Sequence, residues 1–168
     1  MKFVFVVLLL LPGCLIAKEP REDSSPDRMV SAFLSETKDR KTGDTGTKVT
    51  IEDLNGKTLF EDSTTLAHYV VDDSIWTEDG KYLLLVTINA DGHSPWHHPL
   101  FILNISARKI RRMDDFEGHP FISSQVWTRA PDTVILVAHT FRHGLTAPDD
   151  PVIVRFRVSE VWARLKSN

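Results

Sequence analysis

The chain has little cysteine and few of the features on which catalysis usually depends. Cys14 is the single cysteine among 168 residues, so the segment that follows it can form neither an internal disulfide nor a cysteine metal site. The sequence contains no Gly-x-Ser-x-Gly elbow and no Gly-rich phosphate loop. Adjacent carboxylates such as Asp72-Asp73 lie in turn contexts, where Asp forms local hydrogen bonds. These absences favour a protein that is not an enzyme, with no catalytic and no cofactor-binding residues.

The chain also lacks a strong charge excess and a long hydrophobic run. Its formal net charge is -3 and its pI is about 6.1, so no basic field attracts nucleic acid, and nucleic-acid binding is not expected. The apolar run Phe3 to Leu11 has about half of the ~20 residues that a membrane-spanning helix needs. A retained transmembrane anchor is therefore disfavoured.

The first residues instead have the order of an export signal, in which one positive charge and an apolar run precede a small-residue step at Gly13. Leu11-Pro12-Gly13-Cys14 resembles the lipobox of bacterial lipoproteins, which implies cleavage before Cys14, acylation of its sulfur and attachment to a membrane. Cleavage after Ala17 is the competing interpretation and gives a freely secreted or periplasmic protein. In both, residues 1–17 contain the signal peptide and the protein is exported to the cell envelope.

Two regions follow the leader. Residues 18–47 are polar, charged and later Gly-rich, which predicts a flexible tether. Residues 48–168 carry β-strand signals and predict a single β-rich domain, beginning with a hairpin at 48–61 whose turn is Asn55-Gly56. The apolar run at 81–88 predicts a strand that is covered on both faces.

The domain contains an internal duplication. Gln125-Val126-Trp127-Thr128 repeats the pattern of Ser74-Ile75-Trp76-Thr77, and Pro151 repeats Pro99, at offsets of 51 and 52 residues. The chain therefore contains two tandem units of about 51 residues. Because Trp76 and Trp127 recur at the end of the first strand of each unit, both are predicted to lie in the core.

The segment Ile75-Trp76-Thr77-Glu78-Asp79-Gly80-Lys81-Tyr82-Leu83 resembles the blade motif of TolB-like and WD-repeat-type β-propellers, and the segment at 127–132 matches it more loosely. The resemblance covers about two and a half blades, whereas propellers typically close with four to eight. It implies an all-β antiparallel meander of propeller-blade-like hairpins, and it implies no activity. A compact sandwich or half-barrel is favoured, and a ring closed by several copies is the other interpretation.

Seven histidines are present, and five of them cluster after the second predicted strand of each unit. These are His93, His97 and His98 in the first unit, and His139 and His143 in the second. Imidazoles at one end of the domain could hold zinc or copper. The spacing lacks the His-Glu-x-x-His pattern of a helical metal site, so solvated loop histidines are the favoured interpretation.

Two aromatic residues in the same loops, Trp96 and Phe141, are candidates for a binding surface, because exposed aromatics often anchor partners. They could equally fold back as loop plugs. The basic run at 108–112 predicts a charged sheet edge, and Trp162 is predicted to close the last sheet or to lie in a short terminal helix. The sequence thus favours a non-enzymatic lipoprotein or periplasmic β-domain that binds a protein or an envelope component. A His-rich metal-binding protein or metallohydrolase is the alternative, and the oligomeric state is left open.

Overall fold

In the computed structural model of the protein, residues 20–39, 42–90, 99–113, 115–116, 119–140 and 150–165 are described. Within these ranges the chain forms three four-stranded antiparallel sheets and a short helix. The first sheet has the order β1 (Arg21–Ser24), β2 (Val30–Lys38), β3 (Thr45–Asp53) and β4 (Thr58–Asp62). The second has the order β5 (Tyr69–Trp76), β6 (Tyr82–Asn89), β7 (Leu100–Asn104) and β8 (Lys109–Met113). The third has the order β12 (Val152–Arg157), β11 (Thr133–Thr140), β10 (His119–Arg129) and β9 (Asp115–Phe116), and α1 (Val158–Arg164) follows it.

The first sheet corrects the prediction of a flexible tether at 18–47. Strands β1 and β2 and the start of β3 lie inside that segment and pair in continuous antiparallel register. A sheet with one covered face needs only alternate apolar residues, and β2 supplies them at Ala32 and Leu34, which are buried. The alternate residues Ser31, Phe33 and Ser35 lie on the outward face. The many polar and charged residues around them give this segment the composition of an unstructured chain.

The second sheet forms the middle layer of the fold. Leu83, Leu84 and Leu85 follow one another on β6 and are all fully buried, although successive side chains of a strand point to opposite faces. The prediction that this strand is covered on both sides is confirmed. Each fully buried leucine contributes about 1.5–3 kcal/mol relative to an exposed one.

Two apolar cores lie on the two faces of the second sheet. The core shared with the first sheet includes Ala32, Val49, Trp76, Leu85 and Phe101. The core shared with the third sheet includes Tyr82, Leu84, Ile102, Leu136 and Val154, with Val158 and Trp162 of α1 packed beside them. The expected short terminal helix at Trp162 is confirmed.

The tandem units recur as β5–β6–β7 and β10–β11–β12, but their tryptophans differ in burial. Trp76 pairs with Leu83 and is 6% exposed, whereas Trp127 pairs with Ile135 and is 47% exposed. The prediction that both tryptophans lie in the core is therefore wrong for Trp127. The cause is the way in which the units pack: they meet through the faces opposite the tryptophans, and the first sheet covers only the tryptophan face of the second.

The all-β class and the antiparallel meander of hairpins are confirmed. The hairpin at 48–61 is β3–β4, with Gly56 in the left-handed region at φ 73°. Over the described ranges the sheets are stacked in layers, as in a sandwich, and they do not close into a barrel.

Candidate functional site

Most of the site residues predicted from the sequence lie outside the described part of the chain. These are Cys14, His93, Trp96, His97, His98, Phe141 and His143. His139 lies on β11 and pairs across the sheet with Ile122 of β10. The lipid-attachment, metal and aromatic-surface interpretations therefore remain predictions. Among the described residues, no three His, Cys, Asp or Glu side chains converge in a way that could hold a metal ion.

A cleft lies between the first and second sheets. It has a volume of about 370 Å³, within the range of small-ligand pockets. Its lining comes from β1, β2, β3, β5 and β6: Arg21, Leu34, Glu36, Thr47, Val70, Val71, Asp72 and Ile88. Ile88, near the end of β6, belongs to the cleft wall. The candidate residues His93 and Trp96 come five and eight positions after it in the sequence. We refer to this site as the inter-sheet cleft.

The base of the cleft is held by Gly46 and Thr47, where β3 passes close to the connection before β5. A side chain at Gly46 would meet the carbonyl oxygens of Leu66 and Ala67, and the Thr47 amide donates to the Leu66 oxygen at 3.0 Å. The buried Thr47 hydroxyl donates to the Tyr69 carbonyl at 3.0 Å and accepts from an amide of β5 at 3.1 Å. These contacts fix the separation of the two sheets at the cleft.

A β-bulge shapes the opposite wall. The pairing of β5 with β6 skips a residue between Val71 and Asp73, which leaves Asp72 as the extra residue. Bulges turn side chains away from their regular direction and are common beside functional sites. Asp72 and Asp73 are consequently both exposed, although they are adjacent on one strand.

Strand β1 closes the cleft through two side-chain links to β5. The Arg21 guanidinium donates to the Asp73 carboxylate at 2.8 Å and to the Asp72 carbonyl at 3.0 Å. The Ser74 hydroxyl donates to the Asp23 carboxylate at 2.8 Å. Because Arg21 and Asp73 are half exposed, their ion pair contributes at most about 1 kcal/mol. It holds the cleft rim in place more than it stabilises the fold.

The chemistry of the inter-sheet cleft suits binding. Aliphatic side chains at Leu34, Val70 and Ile88 provide an apolar wall, while Glu36, Asp72 and Arg21 place charged groups at the rim. Such a lining fits a ligand with both an apolar part and hydrogen-bonding groups. Sequence reasoning missed it, because its residues come from five strands and form no local motif.

A second, smaller cleft of about 200 Å³ lies between β4 and β8. Its acidic member, Asp62, accepts hydrogen bonds from the amides of Thr64 (2.7 Å) and Thr65 (2.9 Å) and from both of their hydroxyls. Partial burial raises the pKa of Asp62, but these four bonds outweigh burial and hold the pKa below its usual value. The carboxylate is thus engaged in its own turn.

The basic run at 108–112 contributes to this cleft, and its residues 109–112 lie on β8, an edge strand of the second sheet, as expected for a charged edge. Arg112 donates to the Tyr69 hydroxyl at 3.1 Å, and Ile110 packs on the core between the first and second sheets. The run therefore combines a charged rim with structural contacts.

Within the described ranges, α1 has seven residues, and no helix is long and apolar enough to cross a bilayer.

Comparison with known proteins gives similarity at the level of fold. No model of a known protein family matches the sequence, and no curated protein matches it. A crystal structure of a candidate conserved lipoprotein from Clostridium novyi superposes with a TM-score of 0.57 at 13% identity, covering 88% of this chain and 92% of that one. At this identity the likeness shows a shared architecture over nearly the whole of both chains.

Proposed function

We propose that this chain is a lipid-anchored protein of the cell envelope that binds an envelope component or a protein and catalyses no reaction. The observation that carries the proposal is the position of the inter-sheet cleft relative to Cys14. Arg21, at the cleft rim, follows Cys14 by seven positions. An extended chain of that length reaches about 25 Å. Acylation of Cys14 would therefore hold the cleft close to the bilayer surface.

Two further observations support the proposal. The solved structure with the same architecture is itself a candidate lipoprotein. The leader resembles a lipobox at Leu11-Pro12-Gly13-Cys14. Without acylation, cleavage after Ala17 would release the same binding domain into the periplasm or the medium.

The anchor is tested by intact-mass analysis of the exported protein. The expected mature chain begins at Cys14 and carries the added mass of acyl groups, and Cys14→Ala abolishes membrane retention. A mature chain that begins at Lys18 without acyl mass would contradict the anchor.

The binding site is tested by photo-crosslinking in intact cells. A photoreactive amino acid at Ile88, which lies in the cleft wall and is 38% exposed, is expected to capture an envelope component. The matched control is Leu54, which is 65% exposed at the β3–β4 turn and should capture nothing. Equal yields at both positions would remove the cleft as the site.

A further inference from the structure

The outward face of the third sheet is apolar and basic. Trp127, Ile135 and Arg155 form one cross-strand row on it, beside Ile153, which is 77% exposed. Arg129 and Arg157 lie in the next row, on either side of Thr133. We call these residues the open face. Among its described positions there is no carboxylate, although the Arg157 Nε donates to Asp132 of the adjoining turn at 3.1 Å.

The duplication shows what such a face accommodates. Trp76, Leu83 and Leu103 form the matching row in the second sheet, and all three are buried. They are covered by the inner face of the first sheet, through Leu34 and Ile51 among others. Within this chain, therefore, the sheet face that carries Trp76 packs against another β-sheet.

The outward face of the first sheet has the complementary charge. Glu22, Phe33, Thr50 and Glu61 form one cross-strand row, and Glu52 lies in the next. We call these residues the acidic face. Lys48 also lies outward and pairs with Glu61 at 2.8 Å, so carboxylates outnumber ammonium groups there. Phe33 is half-buried and provides an aromatic centre.

We propose that the open face of one copy of this chain packs against the acidic face of a second copy, so that copies associate head to tail. Opposite charges favour this pairing, whereas two open faces would bring arginines against arginines, which is unfavourable. The two faces lie at opposite ends of the three-layer stack, since the second sheet lies between the sheets that carry them. Head-to-tail contacts leave one face of each kind free at the ends, so assembly continues into a filament or closes into a ring.

The association is measured by analytical ultracentrifugation of the exported protein, kept in a non-ionic detergent so that an acyl group cannot drive assembly. Species larger than a monomer are expected to increase with protein concentration and to decrease as salt is raised. Arg155→Glu on the open face and Glu22→Lys on the acidic face should each weaken association about ten-fold or more. The matched control Leu54→Asp, exposed but outside both faces, should leave it unchanged.

Mixing the two variants distinguishes head-to-tail contact from other arrangements. Arg155→Glu retains an intact acidic face and Glu22→Lys an intact open face, and the two changed faces also match each other in charge. The mixture should therefore assemble, although neither variant does so well alone. Both changes in one chain should restore assembly, because the reversed charges match again. Circular dichroism of each variant confirms that the fold is retained.

Three results would overturn the proposal. These are a monomer at all concentrations, assembly lost in Arg155→Glu but unchanged in Glu22→Lys, and a mixture of the two variants that assembles no better than either variant alone. A monomer that instead binds an acidic foreign protein through Trp127 would also overturn it. None of these results bears on the inter-sheet cleft, since Ile88 lies on neither face.

Discussion

The guanidinium carbon of Arg111 lies 4.3 Å from the centroid of the Trp162 ring, and its Nη1 donates to the carbonyl oxygens of Trp162 (2.7 Å) and Leu165 (2.8 Å). The contact joins the edge strand β8 to the carboxyl end of α1, where helix carbonyls have no partners within the helix. A cation at this end is also favoured by the helix dipole. One side chain thus fastens the terminal helix to the second sheet.

Replacing Arg111 should therefore loosen this attachment. Arg111→Ala is expected to lower the free energy of unfolding by about 1.5–3 kcal/mol, the range for hydrogen bonds to charged groups. Arg111→Lys should recover only part of the loss, because an ammonium group lacks the planar fork that stacks and donates together. Urea unfolding followed by tryptophan fluorescence measures both. Lys57→Ala, on an exposed side chain at the β3–β4 turn, is the control and should stay within about 0.5 kcal/mol of the native protein.

The amino end of α1 is held by Asp132, whose side chain is 3% exposed. Its carboxylate accepts from the Ser159 amide at 3.0 Å and from the Arg157 Nε at 3.1 Å, and its carbonyl accepts from the Val158 amide at 2.9 Å. Burial raises the pKa of Asp132, but the bonds from Ser159 and the Arg157 guanidinium outweigh burial and lower it below the usual value.

This lowered pKa makes part of the stability depend on pH. Because the folded state binds the Asp132 proton more weakly than the unfolded state, the contribution is full above the unfolded pKa of about 3.9 and is lost as pH falls through the lower folded pKa. Asp132→Asn should therefore be less stable than the native protein at pH 6, and the difference should shrink below pH ~4. The urea midpoints of the native protein and of Asp132→Asn, measured over this pH range, test the prediction. Asp150→Asn, at an exposed position, should show no such difference, and a gap for Asp132→Asn that stays constant with pH would contradict the assignment.

The two tryptophans of the repeat should respond differently to truncation. Trp76→Ala is expected to cost about 3–5 kcal/mol, because it opens a cavity in the core between the first and second sheets. Trp127→Ala should cost less than about 1 kcal/mol, since nearly half of the side chain is already exposed. Thermal unfolding of the two variants tests this difference. Equal losses at a protein concentration at which the chain is monomeric would show that the face around Trp127 is covered within one copy.

Trp127 also shows where sequence reasoning stops. The sequence pattern identified the β3–β4 hairpin, the repeated units and the doubly covered β6, because these depend on turn residues and on which residues are apolar along a strand. The burial of a tryptophan depends on which sheet stacks against it, and the repeated Trp-Thr pattern carries no such information. The inter-sheet cleft was missed for a similar reason, since Arg21, Thr47 and Asp72 come together only when two sheets pack.

The polar segment before residue 48 was misinterpreted for a different reason. Its composition predicts a chain that cannot order itself. In the structure β1 pairs with β2, β2 pairs with β3, and β2 buries one face against the second sheet. Small apolar residues such as Ala32 add little to the average hydrophobicity of a segment. Asp23 and Ser74 then add a side-chain link that no local pattern reveals.

The histidine interpretation leads to a prediction about metal content. If the chain is a binding protein rather than a metalloprotein, the purified protein should contain no stoichiometric zinc or copper by elemental analysis. Added zinc should then change its melting temperature no more than it changes that of His97→Ala/His98→Ala. One bound equivalent that disappears in this double variant would support the metal interpretation instead, and His93→Ala, His139→Ala and His143→Ala would then identify the other ligands.

Gly46 is expected to be the least replaceable glycine in the described part of the chain. A β-carbon there would lie 2.5 Å from the Leu66 oxygen and 2.6 Å from the Ala67 oxygen, both backbone atoms that cannot turn aside. Gly46→Ala should therefore force β3 away from this connection and lower the free energy of unfolding by roughly 1–3 kcal/mol, as overpacking does in a close-packed interior. Because the neighbouring Thr47 hydroxyl holds the base of the inter-sheet cleft, crosslinking from Ile88 should fall as well.

A second variant, Gly46→Ser, adds the same β-carbon together with a hydroxyl and should lower the free energy of unfolding at least as much as Gly46→Ala. Gly43→Asn tests the opposite expectation, since Gly43 has open space around it and a left-handed φ of 81° that asparagine tolerates. Its unfolding midpoint in urea should lie close to that of the native protein. If Gly46→Ala were as stable as Gly43→Asn, the close approach of β3 to residues 66–67 would not constrain the fold.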